Sequence, residues 1–160
     1  MIRVVILTLS DKGAKGERAD LSGKAIEELL DTSIYKVIGY EIIPDELDLI
    51  IARLTEHSSK SDMILTTGGT GLSRRDVTPE ATLKVIDREV PGIAEAMRSE
   101  SMKYTDRAML SRAVAGIRGE CLIINMPGSP TAVKENLEVI LGVIPHAVEK
   151  IKGSQEECAR

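Results

Sequence analysis

Hydrophobic residues along the chain fall into two patterns, continuous runs and runs with a spacing of three or four. The continuous, β-branched runs predict buried strands at residues 2–9, 35–43, 63–67 and 121–126. The spaced runs predict amphipathic helices over residues 21–30, 46–57, 91–102 and 130–152, with a further helix that begins at Thr78. Residues 108–118 give a mixed pattern, which we interpret as a helix end followed by a short strand.

Two helix starts carry an additional local signal. Thr78 and Ser129 each precede a proline, as is typical of an N-cap residue followed by the first helical residue. Strands that alternate with helices indicate an α/β fold: a three-layer sandwich in which helices flank a mostly parallel central sheet. Because no repeat, linker or low-complexity segment interrupts the pattern, we expect one domain over residues 1–153 and a frayed tail at 154–160.

The composition argues against several classes of protein. The 160 residues carry a net charge of −4 without a basic block, and they include neither Trp nor Phe, so nucleic-acid binding is not expected. No apolar run approaches the ~20 residues of a membrane span. The N-terminal apolar run is too short for a signal peptide, which favours the cytoplasm. Cys121 and Cys158 lie too far apart in the sequence for a Cys-x-x-Cys metal site and support no disulfide framework.

Loops rich in Gly, Ser, Thr and Pro follow three of the predicted strands. In an open α/β sheet, ligands bind beyond the carboxyl ends of the strands, so these loops are candidate binding segments. They span Ser10–Gly23, Thr66–Asp76 and Asn125–Pro130, and Pro44–Glu46 follows a fourth strand.

The loop that begins at Thr66 carries the most information about a ligand. Its glycines, within Gly68–Gly71, let backbone N–H groups approach an anion closely. It matches neither a Walker A loop nor the Gly-x-Gly-x-x-Gly dinucleotide fingerprint. Arg74 and Arg75 follow, and guanidinium groups match phosphate oxygens, which favours a phosphate site. A tight turn beside a solvated charged segment would give the same pattern.

Two aspartates, Asp45 and Asp76, each follow a strand that is expected to end at the same edge of the sheet. Carboxylates that converge on bound phosphates are a way to hold Mg²⁺, which keeps several waters and takes few protein ligands. Structural roles are also open. Asp45 can cap the helix that begins at Glu46, and Asp76 can pair with Arg74 or Arg75.

Covalent catalysis has no candidate in the sequence. His57 and His146 lie on predicted helices without a Cys or His at ligand spacing, so we expect surface or packing roles for both. No Ser lies in a Gly-x-Ser-x-Gly motif.

Taken together, these segments resemble the molybdopterin-binding domain family, and within it the MogA-type molybdopterin adenylyltransferases. The similarity runs in order through nearly the whole chain. The matching segments are Ser10-Asp11 with Asp20–Gly23, Thr66–Thr82, Asp87–Arg98, Leu110–Arg118 and Asn125–Pro130.

The resemblance implies an activity, a fold and an assembly. The implied enzyme transfers AMP from Mg-ATP to the terminal phosphate of molybdopterin and releases pyrophosphate, before molybdate is inserted. It implies the molybdopterin-binding fold, a homotrimer and contact with a molybdate-insertion protein. Alternatives are a molybdopterin carrier without nucleotide turnover, and the use of the fold for molybdate insertion or nucleotide hydrolysis within longer chains.

The resemblance also assigns roles to residues. Asp45 and Asp76 match the two acidic positions of the family, which makes them the expected catalytic residues and Mg²⁺ ligands. The expected nucleotide and pterin contacts are Ser10, Asp11, Asp20, Ser22, Gly23, Thr67, Gly68, Gly69, Thr70, Gly71, Arg75, Pro127, Gly128, Ser129 and Pro130.

Overall fold

The computed structural model describes residues 1–154, so Cys158 and most of the predicted frayed tail lie outside the described residues. Within this part of the chain there are six strands, and the four long aliphatic ones have the predicted bounds. The strands are β1 (Ile2–Leu9), β2 (Tyr35–Ile43), β3 (Met63–Thr67), β4 (Arg88–Glu89), β5 (Ala115–Arg118) and β6 (Cys121–Met126).

Seven α-helices and one 3-10 turn (Asp106–Leu110) complete residues 1–154. No helix in this range has both the length and the apolar character that a membrane crossing requires. The helices are α1 (Asp11–Ala14), α2 (Leu21–Leu29), α3 (Leu47–Ser58), α4 (Thr78–Val85), α5 (Pro91–Ser101), α6 (Pro130–Ile140) and α7 (Ile144–Ile151).

The sheet has the strand order β2-β1-β3-β6-β5-β4. The first four strands in this order are parallel, whereas β5 runs antiparallel to both β6 and β4. The predicted mostly parallel sheet is therefore confirmed. Because parallel strands end at one edge, the loops after β1, β2, β3 and β6 meet there.

Helices cover both faces of the sheet, which gives the predicted three layers. On one face, α2, α5, α6 and α7 bury side chains such as Ile26, Met97 and Leu137 against the sheet. On the other face, α3 and α4 bury Leu54 and Val85. The core is aliphatic, because the chain has no Phe or Trp to fill it.

The predicted helix over 130–152 is wrong in one respect, because it is two helices separated by residues 141–143. Pro145 explains the break. In a continuous helix its ring would collide with the carbonyl of Leu141, whereas near the start of a new helix it is tolerated.

Two further differences have local causes. The prediction of Thr78 as an N-cap residue is wrong: Val77 holds that position, and the Thr78 hydroxyl donates to the carbonyl of Gly68 instead. The short exposed strand β4 escaped prediction because two charged residues give no hydrophobic alternation. The mixed segment 108–118 consists of the end of the 3-10 turn, an extended stretch and β5.

A buried polar network lies between the sheet and the glycine-rich loop. Asn125 on β6 is fully buried and donates to the hydroxyls of Thr66 (3.1 Å) and Thr82 (2.9 Å). The side-chain oxygen of Asn125, Oδ1, accepts a hydrogen bond from the backbone N–H of Val114 at 3.2 Å. The Thr82 hydroxyl in turn donates to the carbonyl of Thr78. These bonds fix α4 and the loop before it relative to the ends of β3 and β6.

Replacement of Asn125 by Leu is expected to lower the free energy of unfolding by about 2–4 kcal/mol, because buried polar partners lose their hydrogen bonds. Urea denaturation measures this change. Ile123→Val on the same strand is the control and should cost about 1 kcal/mol. Equal losses in the two variants would show that the network adds nothing beyond ordinary packing.

Candidate active site

A cleft of about 390 Å³ opens where the loops after β1, β2, β3 and β6 meet. Eleven of the predicted site residues line it, which are Ser10, Asp20, Ser22, Asp45, Thr67, Gly68, Gly69, Asp76, Gly128, Ser129 and Pro130. Sequence reasoning missed six further lining residues, which are Thr8, Leu9, Gly13, Arg18, Ala19 and Leu21. Four separate loops therefore build one site, as the strand pattern predicts.

Six predicted site residues do not line this cleft. Thr70, Gly71 and Pro127 line a neighbouring cavity of about 260 Å³ on the other side of the glycine-rich loop. The remaining three residues lie one contact further out. Asp11 and Gly23 each donate a backbone hydrogen bond to a carboxylate that lines the cleft, those of Asp45 and Asp20 respectively. Arg75 in turn binds the side chain of Asp11.

Asp45 is held at its place by Asp11. The backbone N–H of Asp11 donates to Asp45 Oδ2 at 3.1 Å, and the backbone N–H of Asp45 donates to Asp11 Oδ1 at 3.0 Å. Asp45 Oδ1 is buried and has no hydrogen-bond partner, the one such side-chain atom within residues 1–154. Burial and the negative charges of Asp11 and Asp76 raise the pKa of Asp45. This carboxylate therefore lacks a positive partner.

Asp45 and Asp76 do not have the purely structural roles that the sequence also allowed, a helix cap for Asp45 and an ion pair with a neighbouring arginine for Asp76. Glu46 holds the N-cap position of α3 and makes no side-chain cap, so Asp45 does not cap that helix. Asp76 makes no ion pair with Arg74 or Arg75; its Oδ2 accepts from the backbone N–H of Ser73 at 2.9 Å. Both residues line the cleft, and neither carboxylate has an ion-pair partner within the described residues.

The glycine-rich loop packs directly against both carboxylates. A Cβ at position 69 would lie 3.0 Å from Asp45 Oδ1 and would overlap the hydroxyl of Thr78. A Cβ at position 71 would lie 2.9 Å from Asp76 Oδ2. Gly68 and Gly69 also have φ values of 95° and 67°, which side chains disfavour. Space and backbone conformation therefore both favour glycine at positions 68 and 69.

Asp20, although it lines the cleft, is saturated by hydrogen bonds. Its carboxylate caps α2 through the backbone N–H of Gly23 (2.9 Å) and accepts from Thr8 (2.6 Å), Ser22 (3.2 Å) and Tyr40. Burial acts to raise the pKa of Asp20, but these hydrogen bonds outweigh it and lower the pKa below its ordinary value. Asp20 is thus an ionised residue that organises the start of α2.

The loop after β6 forms another wall of the cleft. The Ser129 side chain caps α6 by accepting from the backbone N–H of Ala132 at 3.1 Å. A Cβ on Gly128 would lie 3.3 Å from the Cα of Gly68, so the two loops touch backbone to backbone. The Thr67 hydroxyl donates to the carbonyl of Pro127 at 2.7 Å and ties them further.

Four arginines near the site have different surroundings. Arg75 binds the carboxylates of Asp11 and Glu46, and Arg74 makes no hydrogen bond or ion pair within the described residues. Arg112, absent from the predicted site, donates to the carbonyl of Gly71 at 2.8 Å and to that of Asp76 at 2.6 Å. The segment Leu110–Arg118, singled out by the family resemblance, was the signal that could have found it.

Arg18 is the one cationic side chain that lines the cleft. It makes no hydrogen bond or ion pair with any other residue in the described part of the chain. The cleft thus combines carboxylates at Asp45 and Asp76, an unpaired guanidinium, and walls of glycine and serine. No group of three or more His, Cys, Asp or Glu residues within 1–154 can hold a metal. The buried free oxygen of Asp45 nevertheless fits a divalent cation that phosphates and water also coordinate.

These features define an α/β protein with a cleft at the sheet edge, where acidic side chains lie beside glycine-rich walls and one guanidinium. Residues 5–146 match the family described as "Probable molybdopterin binding domain". The chain belongs to this molybdopterin-binding family.

Relatives by sequence include two enzymes named molybdopterin adenylyltransferase. The Helicobacter pylori (strain J99) enzyme is 45% identical over 157 residues, which cover 96% of this chain and 89% of the relative. The Escherichia coli (strain K12) enzyme is 38% identical over 174 aligned positions, which cover 99% and 89%.

Solved structures of related proteins share this fold. The molybdopterin biosynthesis enzyme MoaB from Thermus thermophilus has a TM-score of 0.90 at 50% identity, with 96% of this chain and 98% of that chain covered. The tungsten cofactor synthesizing protein MoaB from Pyrococcus furiosus has a TM-score of 0.87 at 37% identity, with 95% and 98% covered. The predicted family and fold are therefore confirmed.

Asp45→Asn is expected to raise the free energy of unfolding of the ligand-free protein at pH 7. The raised pKa of Asp45 means that its ionised form is disfavoured in the folded state, and Asn removes that penalty. The gain should shrink as the pH falls and vanish below about 4, where Asp45 is neutral in both states. Urea denaturation in metal-free buffer across this pH range measures it.

Asp62→Asn is the matched control with the opposite sign. Burial acts to raise the pKa of Asp62, but hydrogen bonds and charge from Arg3 and Lys152 lower it overall. Ionised Asp62 therefore stabilises the fold above about pH 4, and Asn should destabilise it there. A loss of stability at pH 7 in both variants would contradict the assignment of Asp45 as an uncompensated charge.

Proposed function

We propose that this protein is a molybdopterin adenylyltransferase that transfers AMP from ATP to the terminal phosphate of molybdopterin and releases pyrophosphate. One observation carries the proposal: Asp45 Oδ1 is buried and has no hydrogen-bond partner, and the glycine-rich loop packs against both Asp45 and Asp76. The names of the H. pylori and E. coli relatives support the same reaction.

The reaction suits the side chains present. A phosphate oxygen of molybdopterin, already anionic at neutral pH, attacks the α-phosphorus of ATP, and the bond from that phosphorus to the bridging oxygen of the β-phosphate breaks. No strong general base is required, so catalysis consists of positioning and charge stabilisation. The absence of side chains at Gly68, Gly69 and Gly128 lets phosphate groups approach the backbone of the cleft.

Asp45 and Asp76 would hold Mg²⁺, which when bound supplies positive charge to the phosphate oxygens as negative charge shifts toward pyrophosphate. We propose that the two aspartates act through this role and not as proton acceptors. Arg18 would bind a substrate phosphate from the opposite, α2 side of the cleft, because its guanidinium has no competing partner within the described residues.

Wider expectations from the sequence belong to the same proposal. These are one domain over residues 1–153, a cytoplasmic location, a homotrimer, and transfer of the product to a molybdate-insertion protein. Tyr104, Met109 and Leu110 are large exposed apolar side chains within seven residues of the chain, with Tyr104 and Met109 more than 60% accessible, which supports self-association. Light scattering coupled to size-exclusion chromatography would report the mass of the assembly.

Asp76→Asn is expected to lower the turnover of adenylyl transfer by about 100-fold or more, with molybdopterin affinity changed by less than about threefold. Chromatography of adenylylated molybdopterin measures turnover, and titration of ligand-free protein with molybdopterin measures affinity. Asp48→Asn, exposed on α3, should behave as wild type. Tight molybdopterin binding by a wild-type protein that forms no product would favour the carrier alternative.

Arg18→Gln is expected to raise the KM of one substrate by about tenfold, because a charge-assisted hydrogen bond to phosphate is lost. Steady-state kinetics with ATP or molybdopterin varied in turn identify which substrate Arg18 contacts. Lys15→Gln in the same loop is the control, since Lys15 does not line the cleft. Unchanged KM values for both substrates would remove Arg18 from the site.

A further inference from the structure

Arg75 links the loop after β1 to the loop after β2, which contains Asp45. Its Nε donates to Asp11 Oδ2 at 3.0 Å, and its Nη2 donates to Asp11 Oδ1 and to Glu46 Oε1, both at 2.8 Å. Asp11 follows β1, Glu46 follows β2, and Arg75 itself comes from the loop after β3. One guanidinium thus joins the ends of three strands.

A chain of hydrogen bonds connects Arg75 to Asp45 through Asp11. Asp11 Oδ1 accepts from Arg75 and also from the backbone N–H of Asp45. The backbone N–H of Asp11 in turn holds Asp45 Oδ2 and leaves Asp45 Oδ1 without a partner. The direction in which Asp45 presents its free oxygen therefore depends on where Asp11 lies.

Neither Arg75 nor Asp11 lines the cleft, although sequence reasoning places both among the ligand contacts. Nε and Nη2 of Arg75 are already bound to two carboxylates, and Nη1 makes no hydrogen bond within the described residues. A phosphate ligand at Nε or Nη2 would have to displace a carboxylate.

We propose that Arg75 and Asp11 are positioning residues, which fix the Asp45 carboxylate for the reaction and do not bind substrate phosphate. Removal of the Arg75 guanidinium leaves Asp11 and Glu46 without the cation that bridges them, so their carboxylates repel each other and move apart. The inference rests on the proposed function, because it assigns a purpose to the orientation of Asp45.

The first test separates positioning from phosphate binding. Arg75→Gln should lower kcat by about 10- to 100-fold, as misplacement of a catalytic group does, with KM for both substrates changed by less than about threefold. Arg75→Lys should recover part of the loss, because a point charge restores one ion pair but cannot bridge two carboxylates. A tenfold or larger rise in KM or Kd for ATP or molybdopterin would overturn the proposal.

A matched control is available on the outer helix face. Arg53 also bridges two carboxylates, those of Glu41 and Glu56, away from the cleft. Arg53→Gln should leave kcat unchanged. An equal loss in Arg53→Gln would mean that the Arg75 effect is one of general stability.

A double-mutant cycle and a crystal structure complete the test. Arg75→Gln and Asp11→Asn should be non-additive in kcat, with the double variant close to the more impaired single one. In the ligand-free crystal structure of Arg75→Gln, the reciprocal Asp11–Asp45 hydrogen bonds should be broken or lengthened. An unmoved Asp45 carboxylate would overturn the inference, even if the wild-type protein turned out not to transfer AMP.

Discussion

The mutual repulsion of carboxylates gathered at one sheet edge is the constraint on which the site depends. Parallel strands must end together, so the residues that follow β1, β2 and β3 bring Asp11, Asp45 and Asp76 into one region. The protein offsets part of this repulsion through Arg75, which binds Asp11, and through the reciprocal backbone bonds between Asp11 and Asp45. What is left uncompensated is concentrated on a single buried oxygen of Asp45.

This arrangement destabilises the ionised form of Asp45, which lines the cleft. Asp20, by contrast, is a carboxylate in the same cleft whose four hydrogen bonds leave no such excess. Burial disfavours the charge on both residues, but hydrogen bonds outweigh it at Asp20, whereas the charges of Asp11 and Asp76 add to it at Asp45. Behind them, the hydrogen bonds of Asn125 to Thr66 and Thr82 fix the glycine-rich loop relative to the ends of β3 and β6.

Local sequence was sufficient for the parts of the fold that hydrophobic pattern controls. The long aliphatic strands had clear ends, and their alternation with helices predicted both the layers and the edge at which the site lies. The same pattern singled out Asp45 and Asp76, the family resemblance assigned them a catalytic role, and both line the cleft. The break at residues 141–143 was missed because the apolar spacing continues across it, although Pro145 was the available signal.

The contacts of side chains at the site were less accessible to sequence reasoning. Arg75 was expected among the ligand contacts. Only the three-dimensional structure shows that its guanidinium forms ion pairs with Asp11 and Glu46. Arg18 had no motif to mark it, since an exposed cation in a polar loop is ordinary until the fold brings that loop to a cleft. Which polar groups neutralise one another is a property of long-range packing, and spacing along the chain does not encode it.

The backbone contact between Gly68 and Gly128 links segments that are far apart in the sequence. A side chain at position 128 would press on Gly68, and one at position 68 would overlap the carbonyl of Leu9, so each position depends on the backbone of a neighbouring loop. Exchange of a single loop between homologous enzymes, in nature or in a designed chimera, would disturb the cleft even where each loop is functional in its own parent. Recombination that preserves the site has to carry both loops together.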